Sequence, residues 1–307
     1  MEQAFAIPTW AMGLVLMAIV APIIFGGLKS IAKVAELVVP LMALLYLILA
    51  LVVVALNISD LPAAIMTIVQ SAFGIEQAAG GAMGYAISQA IMNGIQRGLF
   101  SNEAGMGSAP NAAATASTRP DHPAAQGFIQ MLGVFLDTLV ICTATAAIII
   151  MAGPELLASE ESNGIQLTQT ALSSHVGDWG GMFIAIAILL FAFTSVIANY
   201  SYGESNIEYL AGRRAPVAVM IYRFAVLGMI MVGSVASLGA IWNFADLSMG
   251  MMAIINLVAI LLLSPIAFAL FKDYDTQLKA GKEPVFDPSQ FPKLAKKVDP
   301  NAWPKQK

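Results

Sequence analysis

Long apolar stretches separated by short polar segments make up most of this 307-residue chain. An α-helix needs roughly 20 mainly apolar residues to cross a bilayer core about 30 Å thick. Seven runs are candidates for such helices: Trp10–Phe25, Val34–Asn57, Ala82–Thr115, Ala125–Met151, Gly180–Leu210, Pro216–Gly239 and Leu247–Phe271. The first run is short and contains Pro22, whereas the other six are of full length. The pattern therefore predicts an all-α fold, a polytopic membrane helix bundle with about seven transmembrane segments.

Composition agrees with a membrane location. Hydrophobic residues make up 58% of the chain and charged residues 11%, whereas about a quarter of the residues in soluble domains are charged. The net charge of −4 gives no sign of a nucleic-acid partner. The single cysteine, Cys142, excludes an intrachain disulfide, and neither histidine has a metal-binding spacing. We therefore expect a lipid bilayer around the chain and no cofactor within it.

The charges between the apolar runs predict an orientation. Lys and Arg are missing from residues 58–81, 152–179 and 240–246, which we interpret as external connections. The alternate connections and the tail carry Lys29, Lys33, Arg119, Arg213, Arg214 and further lysines after Phe271. Positive charge collects in cytoplasmic loops. The chain is thus expected to be a multi-pass protein of the cell membrane with a cytoplasmic C-terminus.

The ends of the chain give two further expectations. The proline- and lysine-rich segment 272–307 is interpreted as a flexible cytoplasmic tail. The charge pattern places Met1 on the outside, although no earlier segment could carry it across the membrane. A chain that lacks its first spans would explain this placement.

The third apolar run contains a predicted break. It is too long for one upright helix at 1.5 Å per residue, and its middle contains Glu103, Gly105, Gly107 and Pro110. Irregular backbone at membrane depth survives only where it lines protein or a wet cavity. We therefore predict two half-helices joined at Ser101–Gly107. A kink filled by neighbouring helices, or a tight loop between two spans, is the alternative.

Such a break would suit a zwitterion. Free amide groups of the second half-helix attract a carboxylate, and free carbonyl groups of the first attract a cation. Glu103 lies at the break, and an ionisable residue inside a membrane marks a pathway by default. Arg97, shortly before the break, needs an acidic or carbonyl partner, for which Glu103 is a candidate.

A second polar set follows helical spacing in the fifth run. Ser195 and Asn199 are one turn apart, and Thr194 adjoins them. Hydroxyl and carbonyl oxygens are the hard ligands that a small alkali cation prefers, although hydrogen bonds between membrane helices would explain the same spacing. Asp137 and Asn256 are interpreted as polar packing groups without a known partner.

Three ordered motifs resemble the alanine/glycine:cation symporter family. The first is Gly98–Pro110, with the sequence GLFSNEAGMGSAP. The second is Phe191–Ser195 followed by Tyr202–Glu204, and the third is the stretch from Ala245 to Leu257. The resemblance covers nearly the whole chain.

This resemblance implies a LeuT-like fold of two inverted five-helix repeats and a sodium symporter of small neutral amino acids working by alternating access. It implies that Phe100, Ser101, Asn102, Gly105 and Met106 line the amino-acid pocket, that Thr194 and Ser195 bind the coupling sodium, and that Asn199 faces the substrate. Many members carry a tryptophan where Asn199 stands, so a smaller side chain here would enlarge the pocket.

The same resemblance divides the chain into a transporter domain, residues 1–271, and the tail. Residues 1–57 would be part of a first repeat and residues 82–271 a second repeat. The discontinuous helix of the first repeat is absent, so we expect an N-terminally truncated chain that is inactive alone. A channel and an intramembrane enzyme are the alternatives, and the chain offers no catalytic constellation for the latter.

Overall fold

The structure is a computed structural model that describes residues 5–73, 83–153 and 164–295. Every regular element in these residues is helical. The α-helices are α1 (Thr9–Phe25), α2 (Gly27–Leu56), α3 (Leu61–Ala72), α4 (Met83–Asn102), α5 (Ala109–Thr115), α6 (Pro123–Phe135), α7 (Thr143–Met151), α8 (Ile165–Val176), α9 (Asp178–Ala211), α10 (Ala215–Val235), α11 (Leu238–Lys279) and α12 (Pro292–Ala295). A π-helical segment, Leu136–Cys142, joins α6 to α7.

Four helical stretches among the described residues are long and apolar enough to cross a membrane. They are Gly27–Leu56, Pro123–Met151, Asp178–Val235 and Leu238–Lys279. The third consists of α9 and α10, joined by a 3₁₀ turn that carries Arg213 and Arg214. Shorter apolar helices lie at Thr9–Phe25 and Leu61–Gln70. The predicted all-α, polytopic membrane bundle is therefore confirmed, whereas the two inverted repeats and their boundaries stay predictions.

Two of the predicted external connections contain helices. Helix α3 lies in the first connection and α8 in the second, although residues 74–82 and 154–163 of these connections are outside the described residues. The third, residues 240–246, was wrongly predicted as a connection, because it forms part of α11. The sequence has few charged residues to mark where α11 begins, and a single glycine such as Gly239 is not enough to end a helix.

The chain forms two compact units, and the first comprises Met1–Ser101 with Asp137–Asp246. Its helices pack around two apolar clusters. One cluster joins α2, α7, α8 and α9 through Tyr46, Val53, Ile148, Leu172 and Ile184. The other joins α1, α2 and α9 through Val20, Ile24, Ile31, Phe193, Ile197 and Tyr200. These contacts fix α9, which carries the predicted sodium hydroxyls, against α1 and α2.

The second unit comprises Asn102–Leu136 with Leu247–Lys307. Its C-terminal part corrects the prediction of a flexible tail beginning at residue 272. Helix α11 continues to Lys279, after which the chain turns back along it. The Gln277 side chain accepts from the Val285 amide and donates to the Val285 carbonyl, at 2.9 and 3.1 Å. Phe286 is buried, and residues 296–307 lie outside the described part.

The returning segment is held by a buried histidine. His122 precedes α6, and its Nδ1 accepts from the Ala124 amide at 3.1 Å. Its Nε2 lies 3.2 Å from Asp273 Oδ2, and the rings of Tyr274 and Phe286 pack edge-on against it. Burial of a polar ring with both nitrogens partnered stabilises this arrangement, because neither nitrogen is left unsatisfied. We call the contacts of His122, Gln277 and Phe286 the tail clasp.

Candidate substrate and sodium site

The predicted break in the third apolar run is present. Helix α4 ends at Asn102 and α5 begins at Ala109. Between them the backbone φ angle is positive at Glu103 (56°), Gly105 (88°) and Gly107 (93°). A positive φ interrupts right-handed helical hydrogen bonding. The irregular segment is therefore residues 103–108, which follow directly after the end of α4 at Asn102.

Side chains of the segment itself complete the turn. The Asn102 Oδ1 accepts from the Ala104 amide at 2.9 Å, which is an Asx turn just past the helix end. The Met106 amide donates to the Glu103 carbonyl at 3.2 Å. The Ser108 hydroxyl donates to Glu103 Oε2 at 2.8 Å. These local bonds hold Glu103 in a left-handed conformation that costs about 1–2 kcal/mol for a residue with a side chain.

Helix α11 supports the same segment within the second unit. Asn256 Nδ2 donates to the Gly105 carbonyl at 2.9 Å, so Asn256, interpreted from sequence as a packing group, is a partner of the break. A Cβ on Gly107 would lie 3.0 Å from the Asn256 side chain. Met106 is buried beside them. The turn is thus closely packed on one side.

Helix α5 is short. Its seven residues make about two turns at 3.6 residues per turn, and Ala116 beyond it is extended. A helix of this length adds little dipole, because the macrodipole sums aligned peptide units. The polar groups that the break offers are therefore the amides and carbonyls of the turn itself.

The last turn of α4 contacts the π-helical segment in the first unit. The Ser101 hydroxyl donates to Asp137 Oδ2 at 2.6 Å and lies 3.3 Å from Cys142 Sγ. Sequence reasoning named no partner for Asp137. One sequence signal could have found it, because a carboxylate within an apolar run requires compensation; the π-helical turn that carries Asp137 is visible only in the structure.

Arg97 has a different partner from the candidate considered above. Its guanidinium pairs with both carboxylate oxygens of Asp246, at 3.1 and 3.3 Å, whereas Glu103 accepts from Ser108. The guanidinium also lies 4.6 Å from the centroid of the Trp242 ring, and Phe100 packs on that ring at 5.0 Å. Asp246 was missed because residues 240–246 were interpreted as a loop.

The predicted sodium hydroxyls differ in exposure. Thr194 is buried, and its hydroxyl donates to the Leu190 and Phe191 carbonyls of its own helix at 3.0 Å. Ser195 is exposed, and its carbonyl accepts from Asn199 Nδ2 at 2.9 Å. Because adjacent side chains on a helix point about 100° apart, the Thr194 and Ser195 side chains point in different directions from α9. The role of these three residues stays a prediction.

Acidic, histidine and cysteine side chains do not form a cluster suited to a metal ion anywhere in the described residues. Hydroxyl, amide and carbonyl oxygens are ligands that suit a hard cation of low charge.

Known proteins similar to the chain are transporters. The model of the sodium:alanine symporter family matches residues 1–288. The chain is 52% identical to the probable sodium/glutamine symporter GlnT of Bacillus subtilis, over 93% of this chain and 58% of that protein. It is 49% identical to the amino-acid carrier protein AlsT of the same organism, over 96% and 61%. It is 39% identical to the sodium/alanine symporter AgcS of Methanococcus maripaludis, over 88% and 58%.

The chain spans about 60% of the length of these relatives. Their names describe carriers and symporters, and none describes an enzyme. The match over nearly the whole chain, the apolar helices and the interrupted third run agree with one another. The chain is a multi-pass membrane protein, and it belongs to the sodium:alanine symporter family, a family of transporters rather than enzymes.

Proposed function

We propose that the protein containing this chain imports a small neutral amino acid of the alanine/glycine class together with sodium, by alternating access. The relatives named as sodium/alanine and sodium/glutamine symporters support this proposal. An inward sodium gradient would supply the driving force. Sodium would favour an outward-open arrangement, and substrate would then permit closure.

The observation that carries the proposal is the interrupted helix. A polar backbone group left unpaired in an apolar medium costs several kcal/mol, so a break in a helix needs partners for its amides and carbonyls, and a polar ligand can supply some of them. The turn 103–108 contains both amides and carbonyls outside a regular helix, the two kinds of group that would match the charges of an amino acid if their local bonds, such as that of the Gly105 carbonyl to Asn256, exchange for the ligand. Phe100, Ser101, Asn102, Gly105, Met106 and Asn199 are the proposed substrate-binding residues.

Two charged residues near the break have structural roles in this proposal. Arg97 is neutralised by Asp246, and the Glu103 carboxylate accepts from Ser108. A side chain that is already paired contributes little to a new ligand unless the pair opens. We therefore assign the substrate charges to backbone groups rather than to Arg97 or Glu103.

The test is uptake by proteoliposomes that contain the purified protein. We expect an inward sodium gradient to drive accumulation of labelled alanine, and potassium in place of sodium to abolish it. An imposed proton gradient without sodium separates proton coupling from sodium coupling. Counterflow separates a carrier from a channel, because only a carrier exchanges internal alanine for external labelled alanine. Alanine entry without trans-stimulation would refute the symporter.

A double variant tests the assignment of Thr194 and Ser195 to the sodium site. Replacing both Thr194→Ala and Ser195→Ala removes two hydroxyl oxygens, so we expect the sodium concentration for half-maximal uptake to rise at least fivefold. Ser201→Ala is the matched control, because the Ser201 hydroxyl also bonds to its own helix, at 2.6 Å to the Ala198 carbonyl. An unchanged sodium dependence in the double variant would remove these hydroxyls from the site.

Glutamine is a second candidate substrate. Asn199 presents an exposed amide, and a relative named as a probable sodium/glutamine symporter is 52% identical. Asn199→Trp fills the space with a large ring, so we expect glutamine to stop competing with labelled alanine while glycine still competes. Equal competition by glutamine before and after the substitution would exclude Asn199 from the pocket.

A further inference from the structure

A buried charged cluster lies between α9 and α10, within the first unit and away from the break. Glu204 of α9 is 3% exposed, and its Oε1 accepts from the Arg223 guanidinium of α10 at 2.9 Å. Arg223 Nε donates to the Tyr200 hydroxyl at 3.0 Å. None of these residues belongs to the proposed substrate or sodium set, and sequence analysis gave the cluster no role.

Aromatic rings enclose the cluster. Tyr222 stacks on Tyr200, with ring centroids 5.3 Å apart and planes 15° from parallel. The Arg223 guanidinium lies 5.5 Å from the centroid of the Phe25 ring of α1. The Tyr222 hydroxyl occupies a notch at Gly203, where a Cβ would overlap it. Helix α9 is thus held against α10 by the ion pair of Glu204 and by the close fit of the Tyr222 hydroxyl at Gly203.

Stability alone does not explain this cluster. A buried ion pair often contributes no more than an apolar pair of similar volume, because both charges lose their hydration. Within the described residues, Glu204 Oε2 accepts no hydrogen bond. The best-attested use of such buried polar groups is to fix register between elements.

Register matters here because the rest of the contact is apolar. The faces of α9 that meet α1 and α2 carry residues such as Phe193 and Ile197, and apolar packing tolerates small rotations better than a directional bond does. Rotation or sliding of α9 would move Thr194, whose hydroxyl also lies 3.8 Å from Met42 Sδ of α2. Ten residues, or about 15 Å of helix, separate Thr194 from Glu204.

We propose that the Glu204–Arg223 pair and the Gly203 notch form a register lock that positions the Thr194 and Ser195 hydroxyls for sodium. The inference rests on the proposed function, because it takes sodium binding by these hydroxyls as given. A binding site must be held within about 0.5 Å of its working geometry by packing and hydrogen bonds outside it. Glu204, Arg223 and Gly203 are positioning residues, since none of them would touch the ion.

Two independent changes break the lock. The double variant Glu204→Leu/Arg223→Leu removes both charges together and leaves no unpaired charge buried. Gly203→Ala leaves the ion pair but blocks the notch. We expect each to raise the half-saturating sodium concentration at least fivefold, in binding of radioactive sodium to purified protein and in uptake. The alanine KM measured at saturating sodium is expected to change less than the sodium half-saturation, because Asn199 is on α9 and the other proposed substrate residues are not.

Three controls separate positioning from general damage. Ser205→Ala alters the residue beside Glu204 and removes a hydroxyl that donates to the Ser201 carbonyl of the same helix; it is expected to leave sodium half-saturation unchanged. Arg223→Lys keeps the charge and is expected to restore most of the sodium affinity. Thermal unfolding in detergent is expected to show the double leucine variant within a few degrees of the parent.

The outcomes are decisive in both directions. Sodium half-saturation in both lock variants equal to that of Ser205→Ala, with only the folded fraction reduced, would show a merely structural role and overturn the inference. A sodium shift in the lock variants without one in Thr194→Ala/Ser195→Ala would also overturn it. A parent protein that binds sodium but transports no amino acid would refute the proposed function, while the binding measurement would still decide the lock.

Discussion

Glycine is required at one position of the break for two separate reasons. Gly107 has a φ of 93°, and a Cβ there would lie 3.0 Å from Asn256. We expect Gly107→Ala to destabilise the protein by about 1–3 kcal/mol, the usual cost of a strained backbone conformation. Thermal unfolding in detergent measures the loss. Gly94→Ala is the control, because this helical glycine has open space around it and alanine favours a helix; an equal loss in both would contradict the strain.

The charge of Arg97 is tolerated through its partners. Its side chain is 47% exposed and that of Asp246 is 23% exposed, so the pair is only partly withdrawn from its surroundings. Removing one partner leaves an unbalanced charge, which is more costly than removing both. We expect Asp246→Asn to lower the unfolding temperature more than Arg97→Gln/Asp246→Asn does. A double variant that is less stable than Asp246→Asn would show that the two side chains act independently.

At the scale of the elements, the tail clasp joins the end of α11 to the loop before α6. Phe286 is 1% exposed, and truncating a buried phenylalanine to alanine costs about 3–5 kcal/mol. That loss exceeds the free energy that holds a short returning segment in place, so we expect Phe286→Ala to release residues 280–291. Limited proteolysis of the purified protein would then cut this segment much faster. Lys282→Ala, at an exposed position, is the control, and equal cleavage rates would contradict the clasp.

Sequence reasoning located the elements better than their partners. The break was predicted because glycines and Glu103 in an apolar run conflict with a continuous helix, and that conflict is local. The pairing of Arg97 with Asp246 was not predictable, since 149 residues separate them. In addition, the last helix was predicted to begin at Leu247, whereas α11 begins at Leu238. The tail was misjudged because proline and lysine content describes loops in general, whereas Gln277 and Phe286 supply specific contacts.

At the scale of the whole molecule, the charge of the connections predicts which side each one faces. Lysine and arginine resist translocation, so Arg119 and the lysines after Phe271 are expected in the cytoplasm and Asp60 outside. The helix order of the structure is compatible with this orientation or its reverse, because the helices carry no mark of the membrane side. The orientation is therefore a prediction of its own.

Single-cysteine labelling tests it in the protein as it stands in intact cells. With Cys142→Ala as background, we expect Asp60→Cys to react with a membrane-impermeant maleimide, and Arg119→Cys and Lys282→Cys to react only after permeabilisation. All three positions are exposed, so accessibility to water differs only by side of the membrane. Labelling of Asp60→Cys only after permeabilisation would invert the topology.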